Sequence, residues 1–73
     1  MRGIRRIFTK VGRNIQKVRK EKGFTQESMD EGDYAVPVRT LQDIEAGRAN
    51  FTASSIFKLS KQLKVKPKDL LDI

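Results

Sequence analysis

The side chains of this sequence that could do chemistry are cationic and amide groups, because the commonest metal ligands are missing. The 73 residues include no Cys and no His, which excludes disulfide bonds and Cys-ligated zinc and removes the usual general base at neutral pH. The nine Asp and Glu residues are scattered along the chain and form no pair typical of acid–base catalysis. We therefore expect the protein not to be an enzyme and to hold no metal or cofactor.

The cationic side chains are concentrated at the two ends of the sequence. Residues 1–24 contain nine Lys and Arg against one Glu (+8), residues 25–50 two Arg against six acids (−4), and residues 51–73 five Lys against two Asp (+3). The net charge of +7 favours a polyanionic partner, either a nucleic acid or an anionic membrane surface. The alternative is that the charge only keeps a small domain in solution.

Length and hydropathy limit the organisation of the chain. Seventy-three residues are enough for one compact domain. No apolar run approaches the roughly 20 residues that a membrane-spanning helix needs, and no signal-peptide core follows the first basic residues. We expect a basic N-terminal extension over residues 1–8, one domain over residues 9–73, and a cytoplasmic location.

Apolar spacing and stop signals predict an all-α fold, a compact bundle of five short helices. Apolar residues at intervals of three and four predict a first helix over roughly residues 8–22, which Gly23 ends. A second, short helix is expected over roughly residues 26–31, with Thr25 as its N-cap. The remaining predicted helices are one over about residues 37–46, one capped by Thr52 or Ser54, and one opened by Pro67.

Two short helices joined by a turn, in a five-helix domain with basic ends, are the geometry of a helix-turn-helix DNA binder. Three pieces of the sequence also carry a resemblance to a known family. They are Arg19-x-x-x-Gly23-x-Thr25-Gln26, Ile44-Glu45-x-Gly47, and the C-terminal stretch from Ile56 to Leu71, especially Leu63 to Leu71. With them the chain resembles the Cro/phage-repressor (xenobiotic-response-element type) helix-turn-helix family over about residues 11–71.

The resemblance implies a lambda-repressor-like DNA-binding domain and a sequence-specific transcriptional regulator as its function. Its partner would be double-stranded DNA, with the helix over about residues 37–46 in the major groove. No small-molecule ligand and no membrane partner are expected.

The same resemblance assigns DNA contacts to individual side chains. Base contacts are expected from the recognition helix, through Val38, Arg39, Thr40, Gln42 and Asp43. Phosphate contacts are expected at the opening of the second helix and in the loop after the recognition helix, through Thr25, Gln26, Arg48 and Asn50. The alternative for these positions is an ordinary solvated polar surface.

Two further expectations concern structure and assembly. Arg19 and Glu45 match the buried ion pair that links the first helix to the recognition helix in the family. Leu70, Leu71 and Ile73 crowd apolar surface at the end of the sequence, which predicts a homodimer interface. The alternative is that Leu70 and one neighbour close the core of the monomer.

The sequence departs from the family pattern near the predicted DNA-facing turn. Asp30 stands where the family usually has a small alanine, and the stretch from Met29 to Leu41 is one residue longer than the common spacing. Because the middle segment is acidic, DNA binding is expected either to depend on Arg2, Arg5 and Arg6 and on the Lys-rich ends of the chain, or to require dimerisation. The acidic segment also favours an alternative function, a protein–protein interaction domain of the same fold, of the antitoxin or adaptor type.

Overall fold

The computed structural model describes the backbone of residues 2–48 and 51–72 and the side chains from residue 6 onward. Within these residues the chain forms four α-helices, which are α1 Arg2–Glu21, α2 Val38–Glu45, α3 Ala53–Leu63 and α4 Pro67–Leu70. A 3-10 turn, Glu27–Met29, lies between α1 and α2. The described part contains no strand, so the predicted all-α class is confirmed. The expected count of five helices is not confirmed, because the second one is here only this 3-10 turn of three residues.

The first helix begins earlier than the sequence predicted. It begins at Arg2 rather than near residue 8, and it passes residue 8, the expected end of the N-terminal extension, without a break. The apolar spacing allows this, because Ile4 and Ile7 continue the intervals of three and four toward the N-terminus and no proline interrupts them.

The 3-10 turn is short because the residues after it cannot continue a helix. Thr25 caps the turn as predicted, since its Oγ1 accepts a hydrogen bond from the Ser28 N–H at 3.0 Å. Gly32 then adopts a left-handed φ of 78°. The carbonyl of the buried Met29 accepts from the Val36 N–H at 2.9 Å instead of continuing a helical ladder. The segment between Met29 and α2 is therefore an irregular loop.

Three helices end at a residue in the left-handed region. Gly23, Gly47 and Lys64 have φ values of 82°, 73° and 57°. The N–H of the residue after each donates back to a carbonyl in the last helical turn, from Phe24 to Arg19, from Arg48 to Asp43, and from Val65 to Ser60. These are Schellman bonds, which satisfy carbonyls that the helix itself leaves unpaired.

The end of α2 lies directly against the backbone of α1. A Cβ at Gly12 would lie 2.1 Å from the carbonyl oxygen of Ile44. A Cβ at Gly47 would lie 2.9 Å from Thr9 Cα. Side chains at these two positions would hold the helices apart, so the glycines set where α2 sits relative to α1.

The starts of α3 and α4 follow ordinary capping chemistry. Thr52, and not Ser54, caps α3, because its Oγ1 accepts from the Ser55 N–H at 3.0 Å. Pro67 occupies the first turn of α4, where a missing N–H costs nothing. Asp69 Oδ2 accepts from the Lys66 N–H at 3.2 Å and so completes the start of α4.

The core draws apolar side chains from all four helices, the 3-10 turn and the loop before α2. In the described residues they are Val11, Ile15, Met29, Val36, Leu41, Ile44, Ile56, Leu59, Leu63 and Leu70. Leu70 is fully buried here, which fits the alternative in which it closes the core of the monomer, and this leaves it no exposed surface for a second copy. The reason is that α4 folds back onto α1, where Asn14 Nδ2 donates to the carbonyls of Asp69 and Leu70 at 2.8 and 2.9 Å.

Candidate nucleic-acid interface

The candidate interface consists of the segment from Thr25 to Met29, the loop over residues 30–37, and α2. The side chain of Gln62 on α3 holds the loop, because its Nε2 donates to the Met29 carbonyl at 2.7 Å and also to the Tyr34 carbonyl. The ring of Tyr34 contacts that of Phe57 edge to face, with centroids 5.8 Å apart. The loop over residues 30–37, the stretch that is one residue longer than the family spacing, is therefore fixed to α3.

A buried ion pair connects α1 to the end of α2. Arg19 Nε lies 2.7 Å from Glu45 Oε2, and its Nη2 lies 3.1 Å from Oε1. The remaining Arg19 nitrogen, Nη1, donates to the Phe24 carbonyl at 2.7 Å. This bidentate geometry is the strongest form of such a pair. The pair joins α1 to α2, the two helices that the family resemblance predicted it would link.

Gln26 extends this buried pair to the exposed side of α2. Its Nε2 donates to Glu45 Oε1 at 3.0 Å, and its Oε1 accepts from Gln42 Nε2 at 3.4 Å. Gln26 is half-buried and Gln42 is exposed. A chain of polar contacts thus runs from the core to a side chain that the sequence assigned to base contact.

The exposed side of α2 holds three of the five predicted base-contacting residues. Arg39, Thr40 and Gln42 are exposed, whereas Val38 is half-buried. In the described part of the chain, Arg39 makes no ion pair and no side-chain hydrogen bond. Its guanidinium is therefore available to a ligand.

Asp43 and Arg48, which the sequence assigned to different DNA contacts, form an ion pair with each other. Arg48 Nη2 lies 3.1 Å from Asp43 Oδ1, although one was assigned to a base and the other to a phosphate. The Arg48 side chain is 67% exposed, and an exposed pair of this kind is worth only about 0–1 kcal/mol. The pair therefore does little to prevent Arg48 from turning to a phosphate.

The 3-10 turn changes the argument for phosphate binding at Thr25 and Gln26. A single short turn has a much smaller dipole than a full helix, so the positive end expected there is weak. The hydroxyl of Thr25 and the amide of Gln26 are also engaged within the chain, with Ser28 and Glu45. The Thr25 hydroxyl only accepts in its contact with Ser28, so its own hydrogen can still be donated to a phosphate. Any phosphate contact here therefore depends on side-chain donors rather than on the helix dipole.

Two of the predicted site residues, Asn50 and Ile73, lie outside the described residues. Leu71 is 40% exposed, in contrast to its buried neighbour Leu70. The described residues contain no cluster of three or more Asp or Glu side chains that could hold a metal ion. No helix in this part of the chain is long and apolar enough to span a membrane.

Sequence reasoning did not single out Gln62 or Asn14, which position the interface loop and α4. The one available signal is their place in the helical pattern. Gln62 follows Leu59 by three residues, and Asn14 follows Val11 by three, so both lie at the edge of an apolar stripe. Polar side chains at such edges are placed to form hydrogen bonds with backbone groups of a neighbouring element.

Comparison with known families matches residues 15–70 to the family described as helix-turn-helix. The match includes the Arg19–Glu45 pair, the 3-10 turn, the loop, α2, α3 and all of α4. Searches of curated proteins and of solved structures give no significant match.

Proposed function

This chain belongs to the helix-turn-helix family of the Cro/phage-repressor type, and from that membership we propose that it is a sequence-specific DNA-binding transcriptional regulator. In this proposal α2 enters the major groove, and its exposed side chains contact base edges. The family match is the observation that carries the proposal, since it covers the whole of the candidate interface.

Arg39 and Gln42 are the side chains proposed to distinguish bases. Both are exposed on α2, and an arginine or a glutamine can form paired hydrogen bonds with guanine or adenine, respectively. The contact from Gln26 to Gln42 supports this role, because it limits the positions that the Gln42 amide can take. Val38, Thr40 and Asp43 complete the proposed base-contacting set, with the half-buried Val38 suited to a thymine methyl.

The proposed phosphate contacts lie on both sides of α2. Arg48 follows the helix at its C-terminal end, and Thr25 and Gln26 stand at the 3-10 turn. Asn50 is assigned the same role from the family resemblance. Such contacts fix the register of a protein on the duplex but do not select sequence.

We further propose that the protein acts as a homodimer without an enzymatic activity, a cofactor or a small-molecule ligand. Two copies would match a two-fold symmetric site on DNA. The cytoplasm is the expected location. With Leu70 in the core, the surface that supports dimer formation is the apolar depression of about 400 Å³ bordered by Phe51, Ala53, Ile56, Phe57, Pro67 and Leu71.

Selection of bound sites from randomised duplex DNA tests the proposal. We expect a defined site, two-fold symmetric if the protein dimerises, and a steep loss of affinity as salt rises. The matched control is the Arg39→Ala, Gln42→Ala variant, which removes side chains only from the exposed side of α2. Recovery of no defined site, or of the same site with this variant, would contradict the proposal.

The second candidate function is a protein–protein interaction domain of the same fold. One observation favours it, namely the exposed acidic residues of the 3-10 turn and loop, which are Glu27, Asp30, Glu31 and Asp33. These charges repel phosphates at the point where a duplex would approach. Binding to mixed-sequence DNA with little salt dependence would favour this function over the first.

A further inference from the structure

A basic stripe runs along the outward face of α1, away from the candidate interface. Its members are the exposed residues Arg6, Lys10, Arg13, Lys17 and Lys20. They recur at intervals of four, three, four and three, so at about 100° per residue they occupy roughly 80° of the helix surface. At 1.5 Å per residue the stripe is about 21 Å long.

The charges of this basic stripe are not neutralised within the described chain. The ion pairs there join Arg19 to Glu45 and Arg48 to Asp43, and neither involves the stripe. Three stripe members, Lys10, Arg13 and Lys17, border a shallow depression of about 310 Å³. Asn14 and Asp72 also border it. Neither ion pair found among the described residues joins the Asp72 carboxylate to these three cations. The depression is thus an open, cationic surface.

The basic stripe and the exposed side of α2 point in different directions. The part of α1 that contacts α2 carries Gly12 and Arg19. The middle of the stripe lies about 120–140° around α1 from those two residues, at about 100° per residue. On α2, Ile44 and Glu45 face α1, so Arg39 and its exposed neighbours face away from it. One straight duplex on the outer side of α2 would not reach the middle of the stripe.

We propose that the basic stripe binds the phosphate backbone of a second segment of double-stranded DNA, so that one chain contacts two segments at once. Duplex DNA carries about one charge per 1.7 Å, which gives a stripe of about 21 Å many phosphates to approach. An anionic membrane fits less well. Helices that lie in a membrane surface insert an apolar face, and the apolar face of α1 is buried in the core through Val11 and Ile15.

The first test measures the salt dependence of binding to a short duplex of mixed sequence. The variant is Lys10→Gln, Arg13→Gln, Lys17→Gln. Its control, Lys64→Gln, Lys66→Gln, Lys68→Gln, removes the same charge from exposed residues around the start of α4. Each lost phosphate contact reduces the slope of log binding constant against log salt concentration by about 0.9. We therefore expect this slope to fall by about 2.7 units in the stripe variant and by much less in the control. Equal changes in the two variants would overturn the proposal, since net charge alone would then explain them.

The second test asks whether one protein holds two duplexes. A duplex with the selected site is immobilised, the protein is bound, and capture of a second, fluorescent duplex is measured. We expect the stripe variant to bind the first duplex but to capture at least tenfold less of the second. Equal capture by the stripe variant and the wild-type protein, or no capture by the wild type, would overturn the proposal.

The bridging step rests on the proposed function, whereas binding by the stripe does not. If no selected site exists, the salt dependence on mixed-sequence DNA still tests the stripe by itself. Vesicles of mixed phosphatidylserine and phosphatidylcholine provide the competing partner. If the stripe substitutions abolish vesicle binding and leave DNA binding unchanged, the membrane is the partner and the proposal fails.

Discussion

At the scale of single residues, the candidate interface is organised around the carboxylate of Glu45. Its Oε2 accepts from Arg19 at 2.7 Å, and its Oε1 accepts from Arg19 at 3.1 Å and from Gln26 at 3.0 Å. The buried carboxylate therefore holds the end of α1, the start of the 3-10 turn and the end of α2 together. A buried charge is tolerated only while its partners remain in place.

Substitution of Glu45 is expected to cost far more stability than substitution of an exposed acid. Glu45→Ala leaves the Arg19 guanidinium buried without its partner, which typically costs about 3–5 kcal/mol. Glu27→Ala removes an exposed carboxylate from the 3-10 turn and is expected to change stability by at most about 0.5 kcal/mol. Urea unfolding of both variants measures the difference. Small and equal losses would show that the ion pair contributes little in solution.

Base contacts and phosphate contacts are expected to respond differently to substitution. If α2 lies in the major groove, Arg39→Ala and Gln42→Ala should each cost about 1–3 kcal/mol at the preferred site and relax preference at particular base pairs. Arg48→Ala should weaken binding to all sequences alike and reduce the salt slope by about one unit. Binding to the selected site and to single-base variants checks both. A uniform loss for Arg39→Ala would argue against α2 as the sequence-reading helix.

At the scale of the elements, the position of α2 depends on the absence of a side chain at Gly12. Alanine at a helical position normally adds about 1 kcal/mol of stability relative to glycine. Here the new Cβ would lie 2.1 Å from the Ile44 carbonyl, and overlap in a packed interior costs about 1–3 kcal/mol or more. We expect the overlap to dominate, so that Gly12→Ala lowers the melting temperature. A raised melting temperature would mean that α2 lies farther from α1 than described here.

Local sequence signals identified most of the elements, and contacts between distant residues account for the rest. The Thr25 and Thr52 caps and the Gly23 and Gly47 ends follow from single residues and their immediate neighbours. The loop over residues 30–37 could not be predicted in this way, because Gln62 on α3 holds it from 28 positions away. The burial of Leu70 likewise depends on Asn14 in α1.

The candidate site was predictable in the same uneven way. The Arg19–Glu45 pair and the exposure of Arg39 could be expected from the family motif and the helical spacing. The contacts of Asp43 with Arg48 and of Gln26 with Glu45 could not, because each depends on how the end of a helix meets the loop or turn beside it.

At the scale of the whole molecule, the charge is divided between separate surfaces. The turn and loop before α2 expose four acids, Glu27, Asp30, Glu31 and Asp33, while the outward face of α1 exposes five cations. In the proposed function a duplex at α2 would therefore be held against local repulsion, and a single copy would offer few favourable contacts there. Two copies on one symmetric site would double those contacts, which makes self-association part of the proposed mechanism.

The apolar depression at α3 and α4 is the surface expected to join the two copies. Leu71, 40% exposed, and Phe57, 48% exposed, lie on its border. Leu71→Asp would place a charge in the interface, so we expect it to convert a dimer to a monomer in sedimentation at micromolar concentration. The matched control is Ile7→Asp, which changes a similarly exposed apolar residue, 46% exposed, on α1 and should leave the dimer intact.

In the dimer the recognition helices should be about 34 Å apart, one turn of DNA, so Leu71→Asp should also reduce affinity for the full site more than for a half-site. Wild-type protein that sediments only as a monomer, both with and without its DNA site, would contradict this assembly.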